Sequence, residues 1–159
     1  MIRLSTQTVR DDWIDYNGHM NVAYYTLAFD IAFDDLLKNY LGMGPEFITR
    51  HKIGPFTLQS NYCYMAEQNQ GEMFYTCMRI IDFDPGKLHL FAAMYRQHDA
   101  QLSATWEGLS INVDHTSRKP VPFRADIYEK IVNVYNLTRK HELPAQAGQA
   151  LGIRRKQES

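Results

Sequence analysis

The sequence predicts a single α+β domain in which an antiparallel sheet wraps around one long central helix. Three observations predict it: a long segment with a wide apolar helical face near the N-terminus, four strand-like segments after it, and a second amphipathic segment near the C-terminus. The chain has 159 residues, of which 45% are hydrophobic, enough for one domain with its own core. We expect residues 1–159 to form one domain, with residues 142–159 as an extended tail.

The N-terminal part predicts a strand followed by the long helix. Residues 2–10 alternate polar and apolar side chains imperfectly and predict a first strand. From Val22 to Tyr40, apolar side chains recur at helical spacing and form a face so broad that only a sheet can cover it. Asn21 suits the N-cap position. Two glycines and a proline predict the end of the helix: Gly42, Gly44 and Pro45.

The rest of the chain predicts the sheet and a second helix. Turn-forming residues at 84–86 and 98–100 separate neighbouring strands, which should pair antiparallel as a meander. Residues 125–135 carry apolar side chains at helical spacing and predict a C-terminal helix. Four segments rich in aromatic and β-branched residues predict the strands: 55–65, 72–83, 87–97 and 102–113.

Composition and charge argue against several classes of partner. The net charge of −1 gives no basic stripe for a nucleic acid, and we interpret Arg154, Arg155 and Lys156 as a solvated tail. The apolar runs are much shorter than the roughly 20 residues of a membrane-spanning helix. Residues 1–9 lack the basic start and apolar middle of a secretory signal, so we expect a cytoplasmic protein without a membrane or nucleic acid partner.

Cysteines and histidines give no sign of a metal or cofactor site. Cys63 and Cys77 have neither the paired spacing of a zinc site nor the density of a disulfide scaffold, so we expect both to pack in the core. Asp114 and His115 are adjacent, but two neighbouring ligands without a third make a poor site. We therefore predict no metal and no cofactor.

A dense group of polar side chains precedes the long helix. Asp15, Asn17 and His19 lie in one short loop, and Gly18 lets the backbone take a positive φ or approach a ligand. The helix points free N–H groups and a partial positive charge towards this loop. Such donors stabilise the negative charge on a carbonyl oxygen under attack, typically by about 3 to 4 kcal/mol each. The candidate oxyanion donors are the backbone N–H groups of Val22 and Ala23.

Asp15 is the candidate catalytic group for acyl transfer. It can attack a carbonyl directly or take a proton from an attacking water. A single carboxylate can suffice for a thioester, because a thiolate leaves readily without first needing a proton. Asn17 can hold the water or the carboxylate, and His19 can donate to Asp15, to the carbonyl or to the backbone. The alternative is that Asp15 and Asn17 only shape a turn through their own backbone hydrogen bonds.

Several segments carry a resemblance to a known family: 15–25, 87–91, 104–107, 112–114, 141–148 and 152–153. The first of them, followed by a long helix, resembles the hot dog thioesterases of the hydroxybenzoyl-CoA thioesterase type. The others resemble one branch of that family, the betainyl-CoA thioesterases associated with carnitine breakdown, found alone or fused to carnitine dehydrogenase. The resemblance covers nearly the whole chain.

The resemblance implies the hot dog fold and an acyl-CoA thioesterase acting on betainyl-CoA or another small acyl-CoA. It implies a homodimer joined into one continuous sheet, with pairing of dimers into a tetramer left open. Residues of the partner would meet the N-terminus of the helix at the active site. By position, Asp15 matches the family's catalytic carboxylate, Asn17 and His19 match its amide and imidazole, and the first turn of the helix supplies the oxyanion donor.

Further groups of residues are candidates for substrate contacts. Thr57 and Gln59 stand where we expect related sequences to have a threonine beside a glutamate, so the neutral amide points to a different substrate or rate. Aromatic residues near the loop could form a box for a quaternary ammonium group, with core packing as the alternative. Basic residues after the last long strand could bind CoA phosphates, with a solvated loop as the alternative. These residues are Trp13, Tyr16, Tyr24, Tyr25, Phe56, Tyr62 and Tyr64, and Arg118, Lys119 and Arg124.

Two other functions stay open at the level of sequence. An enoyl-CoA hydratase on the same fold carries a similar loop, but with a proline and one further residue where this chain has Gly18 alone. A non-catalytic acyl-CoA-binding module is the other alternative, because a fold does not dictate a function. His89 and Glu107, on central strands, are expected to pair for structural reasons.

Overall fold

The computed structural model of the protein describes residues 1–153. The strands are β1 (Ile2–Thr8), β2 (Ile53–Tyr64), β3 (Met73–Phe83), β4 (Lys87–Arg96), β5 (Leu102–Asp114) and β6 (Lys119–Pro120). The helices are α1 (Val22–Leu36), α2 (Pro45–His51) and α3 (Ala125–Thr138). Two shorter segments are a 3-10 helix at Asp11–Trp13 and a π-helical turn at Leu37–Leu41 that continues α1.

The sheet is antiparallel throughout and has the strand order β1-β3-β4-β5-β2, with β6 paired to β5. The predicted meander of β3, β4 and β5 is confirmed. β2 precedes these strands in the chain but pairs with β5, so that Tyr64 lies opposite Ala104 and Ile53 lies opposite Asp114. β2 is therefore an edge strand. One side of its backbone has no partner within residues 1–153 and can pair with another chain.

The long central helix is confirmed, and α1 packs its apolar face against the sheet. Phe29 and Phe33 contact the ring of Trp106 on β5, with ring centroids 6.4 and 5.8 Å apart. Gly108 leaves room for this ring, because a Cβ atom there would lie 2.1 Å from Trp106 Cζ2. Each fully buried large side chain contributes about 1.5 to 3 kcal/mol, so this packing holds α1 against the sheet. The buried face of α1 consists of Tyr25, Ala28, Phe29, Ala32, Phe33 and Leu36.

Two predictions about local structure need correction. Pro45 does not only follow the end of a helix, since it also begins α2, where its fixed φ suits the first helical turn and its missing N–H costs nothing. The predicted end at Gly42 is confirmed, and this residue has a φ of 73°. Cys63 and Cys77 are half-buried rather than core residues, because they alternate with Tyr62 and Met78, which pack with the core.

The segment after α3 lies on the outer face of the sheet. The Arg79 guanidinium donates to the carbonyl oxygens of Arg139 and His141. Further along, the backbone N–H of Gly148 donates to Glu107 Oε2 at 2.7 Å. Residues 139–153 thus contain no helix or strand but are attached to the sheet at several points.

Three further sequence predictions concern the pair His89 and Glu107, membrane-spanning helices and the C-terminal basic cluster. The expected pairing of His89 with Glu107 is confirmed, with Nε2 and Oε1 2.8 Å apart. None of the helices within residues 1–153 is long and apolar enough to cross a membrane. The basic cluster Arg154, Arg155 and Lys156 lies outside the described residues.

Candidate active site

The loop between the 3-10 helix and α1 is held by its own backbone. The N–H of Asp15 donates to the carbonyl oxygen of His19 at 3.1 Å, and the N–H of Gly18 donates to the carbonyl oxygen of Asp15 at 3.0 Å. Gly18 has a φ of 84°, which L side chains rarely adopt, so the glycine makes this reversal possible. The loop is therefore a fixed turn that presents its side chains outward.

The half-buried Asp15 carboxylate accepts two hydrogen bonds in this turn. Oδ1 accepts the backbone N–H of Asn17 at 2.8 Å, and Oδ2 accepts the side-chain amide of Asn21 at 3.3 Å. The first contact is an Asx turn, so Asp15 does shape the loop as the structural alternative predicts. The same carboxylate lines a cleft at the start of α1. A structural role and a chemical role are thus compatible at this residue.

The N-terminus of α1 offers one uncommitted backbone donor. Asn21 caps the helix, because its Oδ1 accepts the N–H of Ala23 at 2.9 Å and its carbonyl oxygen accepts the N–H of Tyr24 at 3.0 Å. The N–H of Val22 has no hydrogen-bond partner in the described part of the chain. Of the two predicted donors, Ala23 is therefore already engaged and Val22 is available.

The cleft has a volume of about 560 Å³, within the usual range for a small-molecule site. All three predicted catalytic side chains line it, together with Val22 and three of the tyrosines predicted as candidates for substrate contacts. The lining residues are Asp15, Tyr16, Asn17, His19, Met20, Asn21, Val22, Tyr25, Tyr64, Met65, Ala66 and Glu67. The residues predicted from the sequence as catalytic thus lie together around one cleft.

Individual side chains differ in how they meet the cleft. Tyr16 is 96% exposed, and His19 places Nδ1 3.3 Å from the carbonyl oxygen of Met20 rather than on Asp15. Tyr25 is buried, which raises its pKa to about 12. Tyr24 does not line the cleft as predicted, because its ring stacks on Trp13 with centroids 5.4 Å apart. Tyr24 therefore belongs with the core.

Thr57 and Gln59 do not reach the cleft of their own chain. They precede Tyr64 on β2 by seven and five residues, which at the usual rise per residue is roughly 15 to 25 Å. Gln59 instead lines a separate pocket of about 410 Å³ beside His89 and Glu107. One protomer alone thus does not bring these residues to Asp15.

The predicted CoA-binding residues also lie far from this cleft. Arg118 and Lys119 follow the end of β5 at Asp114, whereas Ala104, near its start, lies opposite Tyr64. Ten residues of strand separate these two points, roughly 30 Å. The Arg118 guanidinium lies over the ring of Phe56 at 5.0 Å. The remaining predicted basic residue, Arg124, pairs with Asp126 at 3.3 Å.

The link between β2 and β3 contributes residues that sequence reasoning missed. Gln68 is fully buried, and its carbonyl oxygen accepts the N–H of Met20 at 2.8 Å, which joins this link to the Asp15 loop. Its side-chain amide donates to Ser103 Oγ at 2.8 Å. The neighbouring Glu67 adds a second carboxylate to the cleft. Nothing in the polar run from Glu67 to Gln70 marks it as part of a site, because such runs are typical of loops.

The charge of the cleft is negative. Asp15 and Glu67 carry carboxylates, His19 is the one titratable nitrogen base, and none of its lining residues is lysine or arginine. Within residues 1–153, no group of three or more His, Cys, Asp or Glu side chains is placed to hold a metal ion. The chemistry available in this cleft is that of carboxylates, amides, an imidazole and a helix N-terminus.

Two known proteins with sequences similar to this chain have names that include betainyl-CoA thioesterase. Betainyl-CoA thioesterase of Pseudomonas aeruginosa is 24% identical over 145 residues, which cover 91% of each chain. L-Carnitine dehydrogenase/betainyl-CoA thioesterase of Rhizobium meliloti is 27% identical over 155 residues, which are 97% of this chain but 31% of that protein. The chain therefore spans about a third of the length of that relative.

A solved structure and a family model extend the comparison. A hypothetical protein of Staphylococcus aureus, solved in complex with CoA, superposes with a TM-score of 0.89 at 26% identity and covers 97% of this chain and 98% of its own. The family model described as the thioesterase-like superfamily matches residues 9–131, which include the Asp15 loop, α1 and the whole meander. The chain therefore belongs to the thioesterase-like superfamily, which confirms the predicted family and the predicted hot dog fold.

Proposed function

We propose that this protein hydrolyses an acyl-CoA thioester to a free acid and CoA at the cleft beside Asp15. One observation carries the proposal: the carboxylate of Asp15, held by two hydrogen bonds, lies in the same cleft as Val22, the first residue of α1, whose N–H is uncommitted. The carboxylate supplies the attacking group or activates it. The N–H, with the positive end of the helix dipole, stabilises the oxyanion.

Two chemical routes to thioester hydrolysis are possible with these groups. In the first, Asp15 attacks the thioester carbon, the tetrahedral intermediate expels the CoA thiolate, and water hydrolyses the resulting acyl-aspartyl anhydride. In the second, Asp15 takes a proton from water and the hydroxide formed attacks the carbon. The tetrahedral intermediate then expels the CoA thiolate, which takes the proton back from Asp15. Both routes yield one acid and one thiol for each water consumed. We assign Val22 as the oxyanion donor in both, because the N–H of Ala23 is engaged by Asn21.

The remaining polar side chains of the loop have supporting parts in this proposal. Asn17 is exposed at the mouth of the cleft, where its amide can hold the attacking water. His19 lies within the cleft lining and can donate to the substrate carbonyl. Tyr16 is exposed at the same mouth and can cover the acyl group once substrate is bound.

We propose a small acyl-CoA as substrate, with betainyl-CoA as the first candidate. The names of the relatives in Pseudomonas aeruginosa and Rhizobium meliloti support it, as does the negative charge of the cleft. A role in carnitine metabolism in the cytoplasm follows from that candidate and belongs to the same proposal.

The complete site is proposed to need two protomers. β2 leaves one side of its backbone unpaired within the described chain. Two such strands related by a two-fold axis run antiparallel and make one continuous sheet. This arrangement brings the first half of one β2, with Thr57 and Gln59, towards the Tyr64 end of the other. It also carries Arg118, Lys119 and Arg124 of one protomer towards the cleft of the other, where CoA phosphates can bind. We propose a homodimer on this basis, with a dimer of dimers as its further association.

A thiol-release screen tests the proposed activity. The purified protein is incubated with betainyl-, short-chain, aromatic and long-chain acyl-CoA compounds, and free CoA is measured with a thiol reagent. We expect turnover of at least one small acyl-CoA. Tight acyl-CoA binding without thiol release would contradict hydrolysis and favour a binding module. Loss of the conjugated absorbance of crotonyl-CoA without thiol release would favour hydration. Single-turnover hydrolysis in isotopically labelled water then tests the nucleophilic route, because label enters Asp15 only when an acyl-aspartyl anhydride forms and water attacks its aspartyl carbonyl.

A further inference from the structure

The wall of the cleft formed by α1 and the end of β2 is aromatic and acidic. Tyr25 and Tyr64 meet edge to face, with ring centroids 5.1 Å apart, and Tyr62 stacks behind Tyr64 at 6.4 Å. Glu67 lines the same cleft three residues after Tyr64. Tyr64 is 47% exposed, so much of its ring faces the open cleft. An acyl group attached to a thioester at Asp15 can therefore extend against two rings and a carboxylate.

This wall is fixed relative to Asp15. The N–H groups of Met65 and Ala66 both donate to the carbonyl oxygen of Ser103, at 2.8 and 3.1 Å. The carbonyl oxygen of the buried Gln68 accepts the N–H of Met20 on the Asp15 loop at 2.8 Å. Glu67 stands between these attachments. The backbone position of Glu67 is thus set by the same contacts that hold the Asp15 loop. A fixed position suits a residue that binds the far end of an acyl group.

Charge decides what kind of group suits this wall. Within residues 1–153, Glu67 forms no ion pair, and the cleft lining contains no lysine or arginine to offset its carboxylate and that of Asp15. An anionic acyl group is repelled here and a neutral one gains only dispersion contacts. A cationic group gains Coulombic attraction to Glu67 and attraction to the faces of the tyrosine rings.

We propose that Glu67, with the rings of Tyr25 and Tyr64, binds the cationic head of the acyl group and selects quaternary ammonium acyl-CoA substrates. This assignment rests on the thioesterase function proposed above. It gives Glu67 the part that the neutral Gln59 cannot play, since Gln59 carries no charge and lies on the outer face of the sheet.

The test compares two substrates of nearly identical shape. Betainyl-CoA carries a trimethylammonium head, and tert-butylacetyl-CoA replaces the charged nitrogen with carbon. We expect the wild-type protein to prefer the charged substrate by about tenfold in kcat/KM. Glu67→Gln should remove most of this preference, mainly through a higher KM for the charged substrate. Tyr64→Leu should reduce it too, whereas Tyr64→Phe, which keeps the ring, should retain it.

Glu129→Gln is the matched control, because it removes the same charge from an exposed position on α3 outside the cleft. It should leave the preference at the wild-type value. An equal loss for both substrates in Glu67→Gln, or no change in their ratio, would overturn the assignment. So would a wild-type protein that hydrolyses both substrates equally well, and that result would leave the thioesterase function intact. Absence of thiol release from the whole substrate panel would instead remove the proposed function itself.

Discussion

Asn21 donates its side-chain amide to Oδ2 of Asp15 at 3.3 Å while its own side-chain oxygen caps α1. One side chain therefore ties the candidate catalytic carboxylate to the N-terminus of the helix whose Val22 N–H is the proposed oxyanion donor. The distance between carboxylate and helix is fixed by this link, which is the relationship that acyl transfer requires.

Replacement of Asn21 separates its role as the helix cap from its contact with Asp15. Asn21→Ala removes both the cap and the contact, and we expect about 1 kcal/mol of lost stability from the missing cap. Asn21→Ser keeps a capping oxygen but is too short to reach Asp15, so it should remain near wild-type stability. We expect its kcat to fall roughly 10-fold to 100-fold, because Asp15 is no longer held. Thermal melts and thiol-release kinetics on both variants provide the measurement. Wild-type kcat in Asn21→Ser would show that the contact with Asp15 has no role in turnover.

Gly108 is predicted to be the least tolerant glycine for substitution by alanine. The added Cβ would stand 2.1 Å from Trp106 Cζ2, so the ring that supports Phe29 and Phe33 must move. We expect Gly108→Ala to lower the free energy of unfolding by about 1 to 3 kcal/mol. Gly152→Ala, where nothing lies within 4 Å of the new atom and φ is not positive, is the control. Urea unfolding of both variants checks this, and equal stabilities would contradict the packing described for Trp106.

Tyr25 predicts a pH dependence of stability at high pH. Burial raises its pKa from 10.0 to about 12. Below the lower value the hydroxyl is protonated in both folded and unfolded chains, so this residue gives no pH dependence there. Between the two values the unfolded chain releases the proton while the folded protein keeps it, and stability falls as pH rises, by about 3 kcal/mol at most.

Tyr25→Phe removes this contribution and isolates it from those of other tyrosines. The difference in unfolding free energy between variant and wild type should shift in favour of Tyr25→Phe as the pH passes from about 9 to about 12. Urea unfolding at several pH values gives the comparison. A difference that stays constant over this range would contradict the buried, protonated Tyr25.

The proposed two-protomer site predicts complementation between inactive variants. Asp15→Asn removes the carboxylate of one cleft, and Thr57→Trp fills the position that the partner's strand is proposed to occupy. Each variant alone should be nearly inactive. After mixing and subunit exchange, mixed dimers have one intact site, so we expect about a quarter of wild-type activity. If the mixture stays as inactive as its components while mass measurements show mixed dimers, Thr57 acts within its own chain or not at all.

The sequence predicts the local elements well because their signals are local. α1 is marked by the Asn21 cap and by an apolar face that recurs over its whole length, and both are confirmed. α2 was missed because Gly44 and Pro45 are read equally well as a helix end and as a helix start. Whether the residues after Pro45 form a helix depends on a surface against which that helix can pack. The spacing of residues in the sequence does not show such a surface.

Apart from Tyr64, a candidate for the aromatic box, the cleft residues predicted from the sequence are near neighbours in the chain. Asp15, Asn17 and His19 lie in one short loop, so they are close together in the folded protein as they are in the sequence. Glu67 and Gln68 join them only because β2 pairs with β5 and returns the chain beside Met20. Such a long-range pairing depends on the whole sheet. For the same reason, Tyr24 looked like a cleft residue by its position but turns its ring to Trp13.

The most direct test of the central claim is the activity of Asp15→Asn. Asparagine is nearly the same shape and its oxygen can still accept the N–H of Asn17, so the turn should persist. With a substrate found in the thiol-release screen, we expect kcat to fall at least about a thousandfold while melting temperature and oligomer size match wild type. Turnover within about twofold of wild type in a folded Asp15→Asn protein would show that Asp15 does not carry the chemistry.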